Sequence, residues 1–129
     1  ESTIAYLRRV SKEYMADVNI PLEFVQPDEI GEKPLSSLLR RNLLLVMKEA
    51  LHNVTKHAEA SKVIIEFSQE KDSLEMTISD NGKGIESENA FGNGLQNMKE
   101  RIETLGGEFN LINAQPGVIV QVKFNDINH

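Results

Sequence analysis

The sequence predicts an α+β fold, a two-layer α/β sandwich in which helices cover one face of a mixed, mostly antiparallel sheet. Three observations carry this expectation. Leu39, Leu43, Val46, Ala50, Val54 and Ala58 form one apolar stripe at helical spacing, the pattern of a helix laid on a core. Residues 62–68 and 73–80 alternate as two strands joined by Gln69-Glu70-Lys71-Asp72, most simply a hairpin. Residues 109–112 and 118–124 flank a second turn, Asn113-Ala114-Gln115-Pro116-Gly117. Helices interleaved with hairpins bury their apolar faces against one another as sheet and cover.

The elements follow in chain order. Ile4, Leu7, Val10, Tyr14, Met15 and Val18 recur at near-helical spacing and stop near Asn19 to Pro21. A short strand is expected at 22–25, then a polar connection over 26–34 with Pro and Gly. The long helix follows, with Ser36 or Ser37 as N-cap. A further helix begins near Gly94, turns Leu95, Met98, Ile102 and Leu105 inward, and stops at Gly106-Gly107. Neither a repeat nor a low-complexity tract interrupts this order.

Composition narrows the function classes. The 129 residues are one domain's length, and 40% hydrophobic residues can fill its core. Fourteen Lys and Arg stand against 20 Asp and Glu, and a net charge of −6 gives no electrostatic reason to expect nucleic acid or an anionic membrane. Cysteine is absent, which excludes disulfides, thiolate metal sites and thiol nucleophiles. No apolar run approaches the roughly 20 residues that span a bilayer. Glu1 rather than Met opens the chain, so an excised domain is expected.

The stretch Asp80-Asn81-Gly82-Lys83-Gly84 breaks the strand pattern in an informative way. Alternation puts Leu74, Met76 and Ile78 on one face and Asp80 with them. A carboxylate on an apolar face needs a donor, from the protein or from a ligand. Asn-Gly is also a strong hairpin-turn signal, but residues 85–90 show none of the alternation of a returning strand. Taken alone, the motif fits either a turn or a ligand site.

On the long helix, about 100° per residue places Glu49, Asn53 and Lys56 within an arc of roughly 60° beside the apolar stripe. A carboxylate, an amide oxygen and an ammonium over two turns could supply a proton acceptor, a hard-metal ligand and a phosphate contact. A solvated flank with a Glu-to-Lys pair explains the same spacing. His57 projects near the stripe and suits a structural end-cap as well as a functional role, whereas His52 and His129 show ordinary surface usage. Gly92-Asn93-Gly94-Leu95 precedes a helix, where free N–H groups and a positive dipole end can hold phosphate. These three features in this order are unlikely as independent accidents.

In these motifs the chain resembles the ATP-binding catalytic domain of sensor histidine kinases, in the GHKL superfamily shared with gyrase, a heat-shock chaperone and the mismatch-repair MutL ATPase. The run from Lys48 to Ala58 is similar to the N box, Asp80-Asn81-Gly82-Lys83-Gly84-Ile85 to the first glycine box, and Gly92-Asn93-Gly94-Leu95 to the second. Gly94-Leu95-Gln96-Asn97-Met98-Lys99-Glu100-Arg101 and Leu105-Gly106-Gly107 resemble the subfamily of nitrate and membrane-stress sensors. The likeness runs from about Leu22 to Phe124. It implies a GHKL-type fold binding ATP and Mg²⁺, with Asn53 as the Mg²⁺ ligand and Asp80 as acceptor for the adenine amino group. Glu49 would occupy the catalytic acid/base position, and Lys56 and His57 would lie near the phosphates. Gly82, Gly84, Ile85, Gly92, Asn93, Gly94 and Leu95 would line the ATP site.

The resemblance further implies partners: the dimerisation and phospho-acceptor domain of a parent kinase and, through it, a response regulator. Neither nucleic acid nor direct membrane contact is expected, and the domain would be cytoplasmic in a parent anchored in the bacterial inner membrane. Residues 1–20 are expected to be the tail of the dimerisation helix and 21–129 the catalytic domain, with the phospho-accepting histidine elsewhere. Two departures stand out. Only residues 86–91 separate the glycine boxes, a short lid, and Gln115-Pro116-Gly117-Val118 stands where the family usually has Gly-x-Gly-Thr, which places contacts from that turn in question. The alternatives are an anti-sigma-factor serine kinase of the same fold and a nucleotide-free interaction domain.

Overall fold

Each apolar stripe has its start or stop written beside it in the chain. In a computed structural model, which describes residues 2–26, 35–57, 59–84 and 94–127, helix α1 spans Thr3–Met15 and the Ser2 hydroxyl accepts the Ala5 N–H at 3.1 Å. Strand β1, Leu22–Val25, follows. Helix α2, Ser37–His57, is capped by Ser36 rather than Ser37, the Ser36 hydroxyl accepting the Leu39 N–H at 3.1 Å. Strands β2, Val63–Glu70, and β3, Ser73–Asp80, form the expected hairpin, with Lys71 at φ +54° in its turn. Helix α3, Gly94–Thr104, ends where Gly106 takes φ +87° and the Gly107 and Gly106 N–H groups return to the carbonyls of Ile102 and Glu103. That paired closure is why the helix stops at the two glycines. Strands β4, Glu108–Asn113, and β5, Val118–Phe124, complete the chain.

The sheet order is β1-β2-β3-β5-β4, parallel between β1 and β2 and antiparallel elsewhere. Period-two alternation turns Val63, Ile65 and Phe67 of β2, Leu74, Met76 and Ile78 of β3, and Val118, Val120, Val122 and Phe124 of β5 into the core. Leu43, Val46, Met47, Ala50 and Leu51 of α2 meet them. The opposite face carries a polar row: Gln121 donates to Glu75 at 2.8 Å and Asn110 to Gln121 at 3.2 Å. One face is dry and one wet, the two-layer arrangement the patterning predicts.

Helix α1 contributes Ile4, Leu7 and Met15 to the same core. Its buried stripe runs through Ser11 rather than Tyr14, which is 36% exposed. The Ser11 hydroxyl donates to the Arg8 carbonyl at 2.9 Å, so its burial leaves no orphan. After β5 the Ile127 N–H bonds to the Asp72 carbonyl at 2.9 Å, tying the chain end to the β2–β3 turn. Among the described residues no helix is long and apolar enough to cross a membrane.

Candidate functional site

Asp80 is the last residue of β3 and shares its inner face with Ile78. It lines one cavity with Ile78, Val118 and Val120 of the sheet, Ala50, Asn53 and Val54 of α2, and Leu95 of α3. The expected buried acid is half-buried. Burial raises the Asp80 pKa, while backbone N–H groups of Gly82 and Val118 pull it back by hydrogen-bonding the charged form. The Gly82 bond is 2.8 Å. Asn81-Gly82 is not a hairpin tip, because β3 pairs with β2 and β5.

Two glycines let distant backbone reach this acid. Gly117 has φ +86°, and a Cβ there would collide with the Asp80 carbonyl. Only glycine allows the β4–β5 turn to seat so closely. In turn, Gly84 at φ +82° faces Asn113, whose Oδ1 a Cβ would meet at 2.7 Å. The Gln-Pro-Gly-Val turn therefore contacts the site through its main chain, and the Val118 N–H supplies a donor that needs no threonine. Asn81 holds the other side. Its Oδ1 accepts the N–H groups of Ser61 and Lys62 at 2.9 and 3.0 Å.

Of the ladder on α2, one member lines the cavity, one lies against the start of α3 and one does neither. Asn53 is 6% exposed and lines the cavity, and its Nδ2 has no hydrogen-bond partner. An orphaned buried donor is costly. Here it faces the same space as the Asp80 carboxylate. Glu49 is half-buried and lies against Gly94, where a Cβ would overlap its carboxylate. Lys56 is exposed. His57 is in the last turn of α2, with its side chain outside the described residues, as are Ile85, Gly92 and Asn93 altogether. Gly82 and Gly84 are buried, and Leu95 at 6% exposure closes the cavity from α3.

The chemistry fits a flat heteroaromatic base: apolar walls, one acceptor and one unused donor. The space, about 10 Å³, has room for a single water, less than a base needs. A hard cation also fits. Rotation of the Asn53 amide by half a turn offers its oxygen, and Glu49 is one helical turn away. Among the described residues no three His, Asp or Glu gather as a cage.

Comparison with known proteins gives this geometry its family. Residues 39–126 match "Histidine kinase-, DNA gyrase B-, and HSP90-like ATPase". The chain belongs to that family. The sensor histidine kinase YvfT of Bacillus subtilis is 34% identical over 89 residues, covering 69% of this chain and 24% of that protein. The sensor protein VraS of Staphylococcus epidermidis is 30% identical over 107 residues, 81% of this chain and 30% of its own. This ATPase-family chain thus spans 24% to 30% of the length of these relatives. Its fold is that of histidine kinase catalytic domains: the histidine kinase domain of a blue-light activated kinase from Erythrobacter litoralis superimposes with a TM-score of 0.77 at 23% identity, over 95% of this chain and 64% of that one.

Four residues escaped the sequence reading of the site. Gly117 and Val118 belong to a turn whose site contacts the departure from Gly-x-Gly-Thr placed in question, Asn113 is marked only as part of that turn, and Asn81 looks like part of an Asn-Gly reversal. Their partners lie far along the chain. For Asn81 the separation is 20 residues to Ser61.

Proposed function

We propose that this chain is the ATP-binding catalytic domain of a protein histidine kinase, passing the γ-phosphoryl of ATP to a histidine elsewhere in its parent chain for two-component signalling. One observation carries the reading: the Asp80 carboxylate and the orphaned Asn53 amide face one apolar-walled cavity beside a helix start, in a chain whose relatives include sensor kinases. Asp80 accepts the adenine amino group while Val118 and Gly82 hold it in place. Asn53 would hold Mg²⁺ through its amide oxygen, and Glu49 would stand at the acid/base position. Lys56 and His57 would serve the phosphates, and Ile85, Gly92 and Asn93 would belong to the same ATP site. Mg²⁺ supplies charge neutralisation when bound; the chain's own part is positioning and electrostatics.

The partners follow from the reaction. A phospho-acceptor helix domain must receive the phosphoryl group, residues 1–20 would lead in from it, and a response regulator would take the group onward. Calorimetric titration with ATP, with and without Mg²⁺, tests the binding step; no heat of binding in either condition ends the reading. Asn53→Ala separates metal from base. It is expected to remove most of the gain in affinity that Mg²⁺ confers and to leave adenosine affinity within about twofold. Equal losses with and without metal would take Asn53 out of the metal site.

A further inference from the structure

Strand β3 runs out of neighbours just where the acid stands. Its pairing with β2 ends at Val63 opposite Asp80 and its pairing with β5 at Ser79 opposite Ile119, so residues 81–84 leave the sheet with no further ladder to hold them. Strand ends of this kind open readily. One side chain takes over from the ladder. The Asn81 Oδ1 accepts the N–H groups of Ser61 and Lys62 at 2.9 and 3.0 Å, and its Nδ2 donates to the Ser61 hydroxyl at 2.9 Å. The main-chain N–H of Asn81 reaches the Lys62 carbonyl only at a long 3.4 Å. Although Asn81 is exposed, both ends of its amide are thus committed to a segment 19 and 20 residues earlier in the chain. The neighbouring pair of Lys83 and Glu59, 4.0 Å apart and solvent-exposed, adds little.

We propose that Asn81 is a positioning residue for base recognition: by tying the chain beyond β3 to Ser61 and Lys62, it fixes the direction of the Asp80 carboxylate. This rests on Asp80 accepting the amino group of the base. The path from tether to acid is short. Asn81 stands between Asp80 and Gly82, and the Gly82 N–H donates to the Asp80 Oδ1 at 2.8 Å. That bond closes across Asn81, so an Asn81 released from its partners carries Gly82 away from the carboxylate. The other donor, the Val118 N–H, comes from β5 and is untouched. With one bond in place of two, the carboxylate is free to turn. Hydrogen bonds weaken steeply off line, so an acceptor serving one amino group must hold its direction. A purine without that amino group has nothing to lose.

Calorimetry compares adenosine with inosine, which carries a carbonyl in place of the amino group, on the unmodified chain and on Asn81→Ala. The unmodified chain is expected to prefer adenosine. In Asn81→Ala, adenosine affinity is expected to fall on the order of fivefold to tenfold while inosine affinity stays within about twofold, so the preference shrinks. A loss of stability alone weakens both nucleosides alike and leaves their ratio unchanged. A folded variant with the original ratio therefore makes Asn81 purely structural and overturns the proposal, while the nucleotide reading stands. An unmodified chain with no preference for adenosine takes Asp80 out of base recognition, and the role of Asn81 with it. Should the variant fail to fold, amide exchange in the unmodified chain decides. The N–H groups of Ser61, Lys62 and Gly82 are expected to be protected to the same extent, as one tethered unit. Protection of Gly82 with Ser61 and Lys62 exchanging at free-peptide rates overturns the tether.

Discussion

Asp80 sits where burial and hydrogen bonding pull in opposite directions. Burial, the larger effect, raises its pKa above the ordinary 3.8 despite the N–H groups of Gly82 and Val118. A carboxyl whose folded pKa is raised contributes most to stability below its unfolded pKa, and that contribution is lost as pH rises through the folded value. At neutral pH the ionised form is therefore a burden on the unliganded fold. Asp80→Asn removes the charge, and its amide oxygen can still accept from the backbone. We expect its melting temperature at pH 7 to equal or exceed that of the unmodified chain, the difference shrinking toward pH 4, while calorimetry shows no ATP binding. A lower melting temperature at pH 7 would mean that the two N–H bonds outweigh burial. Unchanged ATP affinity would remove Asp80 from base recognition. The direction of this side chain was legible from period-two alternation; its donors were not, since one of them is 38 residues away at Val118.

Among the elements, the β4–β5 turn is the one whose importance exceeds its sequence signal. Gly117 holds a left-handed φ of +86° with the Asp80 carbonyl where a Cβ would be. The turn is closed by the Ala114 N–H bonding to the Gly117 carbonyl at 3.0 Å. Gly117→Ala must either strain this conformation or push the turn off β3, at a cost of about 1–3 kcal/mol. Urea denaturation is expected to show that loss, together with weaker adenosine binding, because Val118 withdraws from the carboxylate. Full adenosine affinity in a destabilised variant would make the contact purely structural. Contrast Gly106, whose role as a helix stop was readable from sequence because the whole closure lies within six residues, Ile102 to Gly107.

On the scale of the whole molecule, a single core joins all three helices to the sheet. Leu7 of α1 is fully buried, as are Leu43 and Met47 of α2 and Ile102 of α3. Leu7→Ala removes methylene groups from a packed interior and leaves a cavity, which costs about 2–5 kcal/mol. Denaturant melts should show one cooperative transition shifted by that amount. A small change, or a separate early transition, would mean that α1 is loosely attached. The negative net charge is spread so that the exposed sheet face holds Glu66 and Glu75 while α1 and α2 carry Arg8, Arg9, Arg40 and Arg41. Arg9 and Arg40 approach the Tyr6 ring at 5.3 and 4.3 Å, a cation–π staple between the first two helices.

What the sequence determined by itself was everything that depends on neighbours within a few residues. Helical spacing in 39–54, alternation in 73–80, Ser36 beside its helix and glycines at 106 and 107 each act through local geometry, and the fold class follows because such faces have few ways to bury one another. Only the tertiary structure decided which polar groups meet. It brought Asn53, Asp80 and Leu95 to one cavity, laid Glu49 on Gly94, and seated Gly117 on the carbonyl of Asp80. These contacts join residues 15 to 45 positions apart. No local pattern encodes them, because each is fixed by how sheet order and helix cover place whole elements side by side, and a backbone close approach leaves no mark in sequence beyond a glycine.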